Sequence, residues 1–339
     1  MPDYYYSDPD FSMNASAREK KEKLNLWLHG SLLLITFITT TIAGMEWTTG
    51  TTGPYELDHL VTGLPYSLSI LFVLGCHEFG HYFAARYHRV RATLPYFIPL
   101  PSFFGLFLNF GTMGAVIKTK SPVKNNRAMF DIGVSGPISG FIACLIVLIY
   151  GFTHLPGKEY ILSIHPDYFS PGYNSHGMAL IFGDNLLFSF LRYVFTDPST
   201  HFIPPMSEIY HYPFLCVGWF GLFVTAMNMI PVGQLDGGHI VFSMFGDKIH
   251  YILARISLGV LFITGIAGSI ETYYGFLTGY GWTGWLFWAA ILIFVIKIKH
   301  PPVYEFYRLD KKRVLLGYFS LFILIVSFTP APFIISMIP

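Results

Sequence analysis

Seven apolar runs set the terms for this chain: roughly 26–44, 64–87, 130–151, 211–231, 252–270, 280–298 and 314–336. Runs of this length suit the hydrocarbon core of a bilayer, about 30 Å thick, which a helix crosses in about 20 residues. The composition agrees. Apolar residues make up 53% of the 339 and charged residues 12%, against about 25% charged in water-soluble domains. The expected fold is an all-α polytopic membrane protein with about seven transmembrane helices. Cys76, Cys144 and Cys216 all fall in apolar runs. Odd in number and widely spaced, they read as small packing residues rather than a disulfide framework. There is no basic stripe and no nucleic-acid motif, so nucleic acid is excluded as a partner.

The charges give the orientation. Arg18, Lys20, Lys21 and Lys23 precede the first run, and the loop after it (45–63) holds Glu46, Glu56 and Asp58 without Lys or Arg. Arg86, Arg89, Arg91, Lys118, Lys120, Lys124 and Arg127 follow the second run. Lys248 and Arg255 flank the fifth, and the stretch Lys297 to Arg313 follows the sixth. With the N-terminus cytoplasmic, only Lys158 and Arg192 of the 21 Lys and Arg fall outside, a strong positive-inside pattern. The expected location is therefore multi-pass, in a prokaryotic cell membrane. The opening "MPDYYYSDPDFSMNASAREK" lacks the short apolar run and cleavage site of a signal peptide. Residues 1–24 read as a mobile cytoplasmic tail.

Two segments break the pattern. In 177–197, Asp184, Asn185 and Arg192 interrupt an otherwise apolar stretch; it reads as an amphipathic segment lying at the outer interface. Residues 93–117 are as apolar as a span, yet Pro95, Pro99 and Pro101 forbid a regular helix through the first part. Irregular backbone at membrane depth needs protein or a cavity to satisfy it, so this segment reads as a re-entrant, β-hairpin-like element packed on the bundle. Its end, "NFGTMGAVIK", offers an unpaired edge.

The chemistry starts at "LFVLGCHEFGHYFAARYH", residues 71–88. His77 and His81 are four apart, so on a helix they lie one turn apart on the same face and can close on one tetrahedral metal. Glu78 is placed to take a proton from a water that the metal activates. At this composition the chance expectation for H-E-x-x-H is on the order of 0.01, and ionisable groups inside a span are by default functional. A catalytic zinc needs a third protein ligand and an open position. Asp131, Asp236 and His239 are candidates. In "NMIPVGQLDGGH", residues 228–239, Pro231 and Gly233 break the preceding helix next to a carboxylate, as in membrane ion sites. This favours Asp236.

The two motifs together resemble the site-2 protease (M50) family of intramembrane zinc metalloproteases: H-E-F-G-H at 77–81 and N-x-x-P-x-x-x-L-D-G-G at 228–238. "GTMGAV" at 111–116 and "SGPISG" at 135–140 look like the family as well. The resemblance covers about 64–240. It implies His77, His81 and Asp236 as ligands of one Zn2+ per chain and Glu78 as general base. It further implies that Asn228 positions substrate backbone or steadies the oxyanion, and that the segment around 93–117, with Gly111 and Gly114, presents an edge strand to the substrate. Asn228 and Asp236 would stand about 12 Å apart on an ideal helix, so both serve one site only if the chain turns at Pro231–Gly233. The PDZ or nucleotide-sensing domain of many family members finds no room here, since the longest polar loop, about 152–176, is too short.

The chain then divides into the tail, a catalytic transmembrane core at 25–240 and additional C-terminal transmembrane helices at 241–339. The expected function is intramembrane hydrolysis of peptide bonds in a single-pass membrane protein or signal-peptide remnant, with the lipid bilayer as surroundings and oligomeric state left open. The alternative is a transmembrane metal-ion transporter using the His/Asp cluster as a transit site. It needs no Glu78 as base, and the sequence shows no second polar cluster along a path.

Overall fold

A computed structural model of the protein describes residues 26–51, 57–101, 109–171, 173, 177–199, 201–275 and 278–338. The expected tail, 1–24, lies outside the described residues. Most of the described chain is helical. The main helices are α1 (Leu26–Thr49), α2 (Leu64–Tyr87), α3 (Asn126–Thr153), α4 (Lys158–Ile164), α5 (Leu186–Phe195), α6 (Pro213–Met229), α7 (Asp236–Tyr274), α8 (Gly284–Ile291) and α9 (Lys311–Ser327). Among the described residues, four helices are long and apolar enough to cross a membrane: Leu26–Thr49, Asp58–Tyr87, Asn126–Thr153 and Asp236–Tyr274. The other three apolar runs also contain helices, but shorter ones.

The first helix is polar inward and apolar outward. On α1 the buried face carries His29, Thr36, Thr39, Thr40 and Thr41, while Leu33, Leu34, Ile35 and Ile38 are exposed. Thr40 Oγ1 meets Ser67 Oγ of α2 at 2.7 Å. On α7, Ile252, Ile256, Val260, Ile263, Ile266 and Ile270 form an exposed stripe. Lipid tails are as apolar as these side chains, so helices associate through small residues and hydrogen bonds rather than through water exclusion. The α2–α3 contact works this way: Gly80 sits directly on Ser135 and Ser139, and Ser139 Oγ donates to the carbonyl of Cys76 at 2.8 Å. α6 is the central post, apolar all round and buried along most of its length.

Residues 93–117 form a hairpin of β1 (Tyr96–Pro99) and β2 (Thr112–Val116). The strands are antiparallel, with Tyr96 opposite Val116 and Phe97 opposite Ala115; the stretch 102–108 lies outside the described residues. Thr39 Oγ1 of α1 donates to the carbonyl of Gly111 at 2.6 Å, so the hairpin is held at the flank of α1.

Two expectations need correction. The interfacial segment 177–197 is helical and amphipathic only from Leu186 to Phe195, where Phe188 and Leu191 are buried and Phe190 and Tyr193 are exposed. Its first part is a strand, β3 (Gly177–Phe182). The run 314–336 is helical only to Ser327, because Pro330 and Pro332 cannot continue a helix. The chain beyond forms β4 (Phe333–Ile338), antiparallel to β3 from Phe182↔Phe333 to Gly177↔Ile338. The fold is therefore mostly helical with two small two-stranded sheets, rather than all-α.

Candidate metal centre

α2 and the start of α7 build the centre. His77 and His81 lie one turn apart near the end of α2, and Asp236 is the first residue of α7. Between α6 and α7 the chain turns over Ile230–Leu235, with Gly233 in the left-handed region at φ +53° and its N–H donated to the carbonyl of Ile298 at 3.2 Å. The turn expected at Pro231–Gly233 is thus present. It brings Asp236 back against α2: His77 Nε2 lies 3.3 Å from one carboxylate oxygen and His81 Nε2 3.3 Å from the other. The two Nε2 atoms are 3.1 Å apart. All three residues sit within metal-sharing distance of one another.

This donor set fits zinc. Zn–N and Zn–O bonds of about 2.0–2.2 Å at tetrahedral angles put ligand atoms about 3.3 Å apart. His81 Nδ1 donates to the carbonyl of Ile132 at 2.7 Å, which leaves its Nε2 lone pair facing the cluster. The rings need room, and α3 provides it. A Cβ at Gly136 would collide with the His81 ring, and one at Gly140 would lie 3.1 Å from His77. The "SGPISG" stretch is thus where α3 approaches the metal-binding face of α2.

Glu78 is buried beside His77, His81 and Asp236, and the backbone of Ile117, directly after β2, lies next to its carboxylate. The hairpin thus reaches the side of the cluster that holds Glu78. Gly111 has φ +73° and is packed on the backbone of Thr39 and Thr40; Gly114 has φ +100° and open space around it. No further strand pairs with β2 among the described residues. Asn228 stands half-buried in the last turn of α6.

The other third-ligand candidates are engaged elsewhere. Asp131 accepts from His88 Nε2 at 2.7 Å and from Arg313 Nε and Nη2 at 2.7 and 2.6 Å. His239 Nδ1 pairs with His300 Nε2 at 2.8 Å. A second polar cluster among the described residues, His165, Glu208 and His211, comes from segments that carry no motif.

The comparisons agree on one family. The family model of peptidase family M50 matches residues 65–267. Among relatives, a protein named probable zinc metalloprotease EGY2, chloroplastic, from Oryza sativa subsp. indica is 28% identical over 220 residues, 65% of this chain and 36% of the relative. Its Arabidopsis thaliana namesake is 26% identical over 280 residues, 82% and 44%. Probable zinc metalloprotease EGY1, chloroplastic, from Arabidopsis thaliana is 31% identical over 185 residues, 55% and 30%. The chain spans less than half the length of these relatives. No solved structure matches it.

Proposed function

This chain belongs to peptidase family M50, and from that premise we propose that it is a zinc metalloprotease that hydrolyses peptide bonds of membrane-spanning substrates. The observation that carries the reading is the convergence of His77, His81 and Asp236 next to a buried Glu78, close to a strand whose outer edge is unpaired among the described residues. His77, His81 and Asp236 hold one zinc. When bound, zinc supplies Lewis acidity, polarising the scissile carbonyl and acidifying the attacking water. Glu78 takes the proton of that water and passes it to the leaving amine. Asn228 steadies the substrate backbone or the developing oxyanion.

The substrate is a single-pass membrane protein or signal-peptide remnant. A helix hides its backbone, so the segment must unwind, and β2 captures it by main-chain pairing at the edge that carries Gly111 and Gly114. In the bilayer the chain makes seven crossings with the N-terminus cytoplasmic, following the Lys and Arg distribution. The centre then lies toward the cytoplasmic side, from which water enters. Transport is the weaker reading. Between the two polar clusters the bundle is filled by buried Ile70, Val73, Cys144, Leu148, Trp219 and Leu222, which offer a crossing ion no ligand besides the Cys144 thiol.

The test is zinc content together with cleavage of single-pass substrates in proteoliposomes. Wild type should cleave and hold zinc at the centre, Glu78→Ala should keep its full zinc content and not cleave, and His77→Ala and Asp236→Ala should each lose the equivalent held at the centre and not cleave. Zinc flux into vesicles that survives Glu78→Ala, without cleavage by wild type, would favour transport instead.

A further inference from the structure

The cluster of His165, Glu208 and His211 is built from two places in the chain, the end of α4 and the 3-10 turn ahead of α6. His165 directly follows α4, Glu208 lies in the loop before α6, and His211 ends a single 3-10 turn just ahead of α6. His165 Nε2 and His211 Nε2 are 3.0 Å apart. Glu208 Oε2 lies 3.8 Å from the first and 3.7 Å from the second. The separations bracket the about 3.3 Å expected of tetrahedral zinc ligands. They resemble those of the His77, His81 and Asp236 group, which is also two imidazoles and one carboxylate.

Three further observations point to a cation. His211 Nδ1 donates to the carbonyl of Thr48 at 3.0 Å, so its Nε2 presents a lone pair to the cluster, an orientation typical of metal-bound histidines. Glu208 is 6% exposed, and its Oε2 is buried without a hydrogen-bond partner, a costly state for a carboxylate unless a positive charge sits beside it. Two imidazole nitrogens at 3.0 Å must otherwise share a proton, whereas both can donate lone pairs to one cation. His165 is partly exposed, which leaves a route for a metal to enter from solvent.

We propose that His165, Glu208 and His211 form a second zinc site, structural in role, at the end of the bundle opposite the H-E-x-x-H centre. The two sites are separated by the length of α6, about 25 Å for its 17 residues: His211 precedes its first residue and Asp236 follows its last. Two imidazoles and a carboxylate suit zinc better than magnesium or calcium. The ion ties α4 to the end of α1, through Thr48, and to the start of α6. Tyr160 of α4 supports the same junction by donating to the carbonyl of His211 at 2.5 Å.

The test counts zinc per chain in the full-length protein, loaded with zinc in detergent and desalted. Wild type should retain two equivalents. His77→Ala with His81→Ala should retain one, and adding His165→Ala and Glu208→Gln to that background should remove it. In the same His77→Ala, His81→Ala background, zinc should raise the Tm, and His165→Ala alone, at a partly exposed position, should abolish the rise. A single equivalent in wild type that disappears with His77→Ala and His81→Ala would overturn the proposal. So would a second equivalent that survives His165→Ala with Glu208→Gln.

Discussion

Glu78 and Gly136 show how single residues divide the work at the centre. Glu78 is buried but binds nothing among the ligands, so Glu78→Gln should leave zinc content unchanged while lowering kcat by about 10²–10⁴-fold, the usual worth of general base catalysis; single-turnover cleavage with parallel metal analysis checks it. Gly136 has no chemistry of its own. It faces the His81 ring so closely that any Cβ displaces it. Gly136→Ala should therefore lower zinc retention under a chelator wash without altering a ligand, and destabilise the fold by about 1–3 kcal/mol as overpacking does. Zinc content of the variant, compared with that of Gly259→Ala, whose position has open space around it, separates the two effects.

At the scale of elements, the hairpin and the contact between α7 and the loop after α8 make different demands. Gly114 holds φ +100° in β2, a conformation costly for L-residues, about 1–2 kcal/mol. Gly114→Ala should deform the strand edge, lowering kcat/KM with zinc content intact; a parallel loss of zinc would mean that the hairpin supports the ligands rather than the substrate. His300, in the loop after α8, is buried, stacks on Phe242 at 4.0 Å and faces His239 and His250. Burial, with His239 and then His250 beside it, holds its imidazole down to about 3. A depressed histidine stays neutral in the fold while the unfolded chain binds its proton below about 6.5. The stability it contributes is complete above that value and is lost as pH falls from about 6.5 toward 3. Thermal melts across that window should show the loss, and His300→Phe, which keeps the stack, should make it smaller.

For the whole molecule, the C-terminal strand is part of the core rather than an appendage. Phe333 is buried against Phe182, Trp219, Phe223 and Trp282, and Arg313 of α9 grips Asp131 of α3 with two bonds. Phe333→Ala should cost about 3–5 kcal/mol, read as a fall in Tm of the full chain. If residues beyond 240 were only added spans, the change would be small. The junction at the other end of α1 is likewise shared: Thr48 accepts from His211, and the adjacent Trp47 donates Nε1 to the carbonyl of Asn109, just ahead of β2, at 2.7 Å.

The sequence by itself determined that the fold is mostly helical and which residues meet at one candidate centre. Long apolar runs have few solutions in lipid, and His77, Glu78 and His81 are a local constellation whose helical spacing already defines a metal-binding face. Asp236 was legible because its helix break is local too. The tertiary structure alone decided the rest. The pairing of β3 with β4 joins segments some 150 residues apart, so neither strand announces itself, and Pro330 and Pro332 were hidden inside an apolar run. His165, Glu208 and His211 carry no spacing rule. They meet because α1, α4 and α6 end at one place, and convergence of chain ends is a property of packing, which no local pattern of residues records.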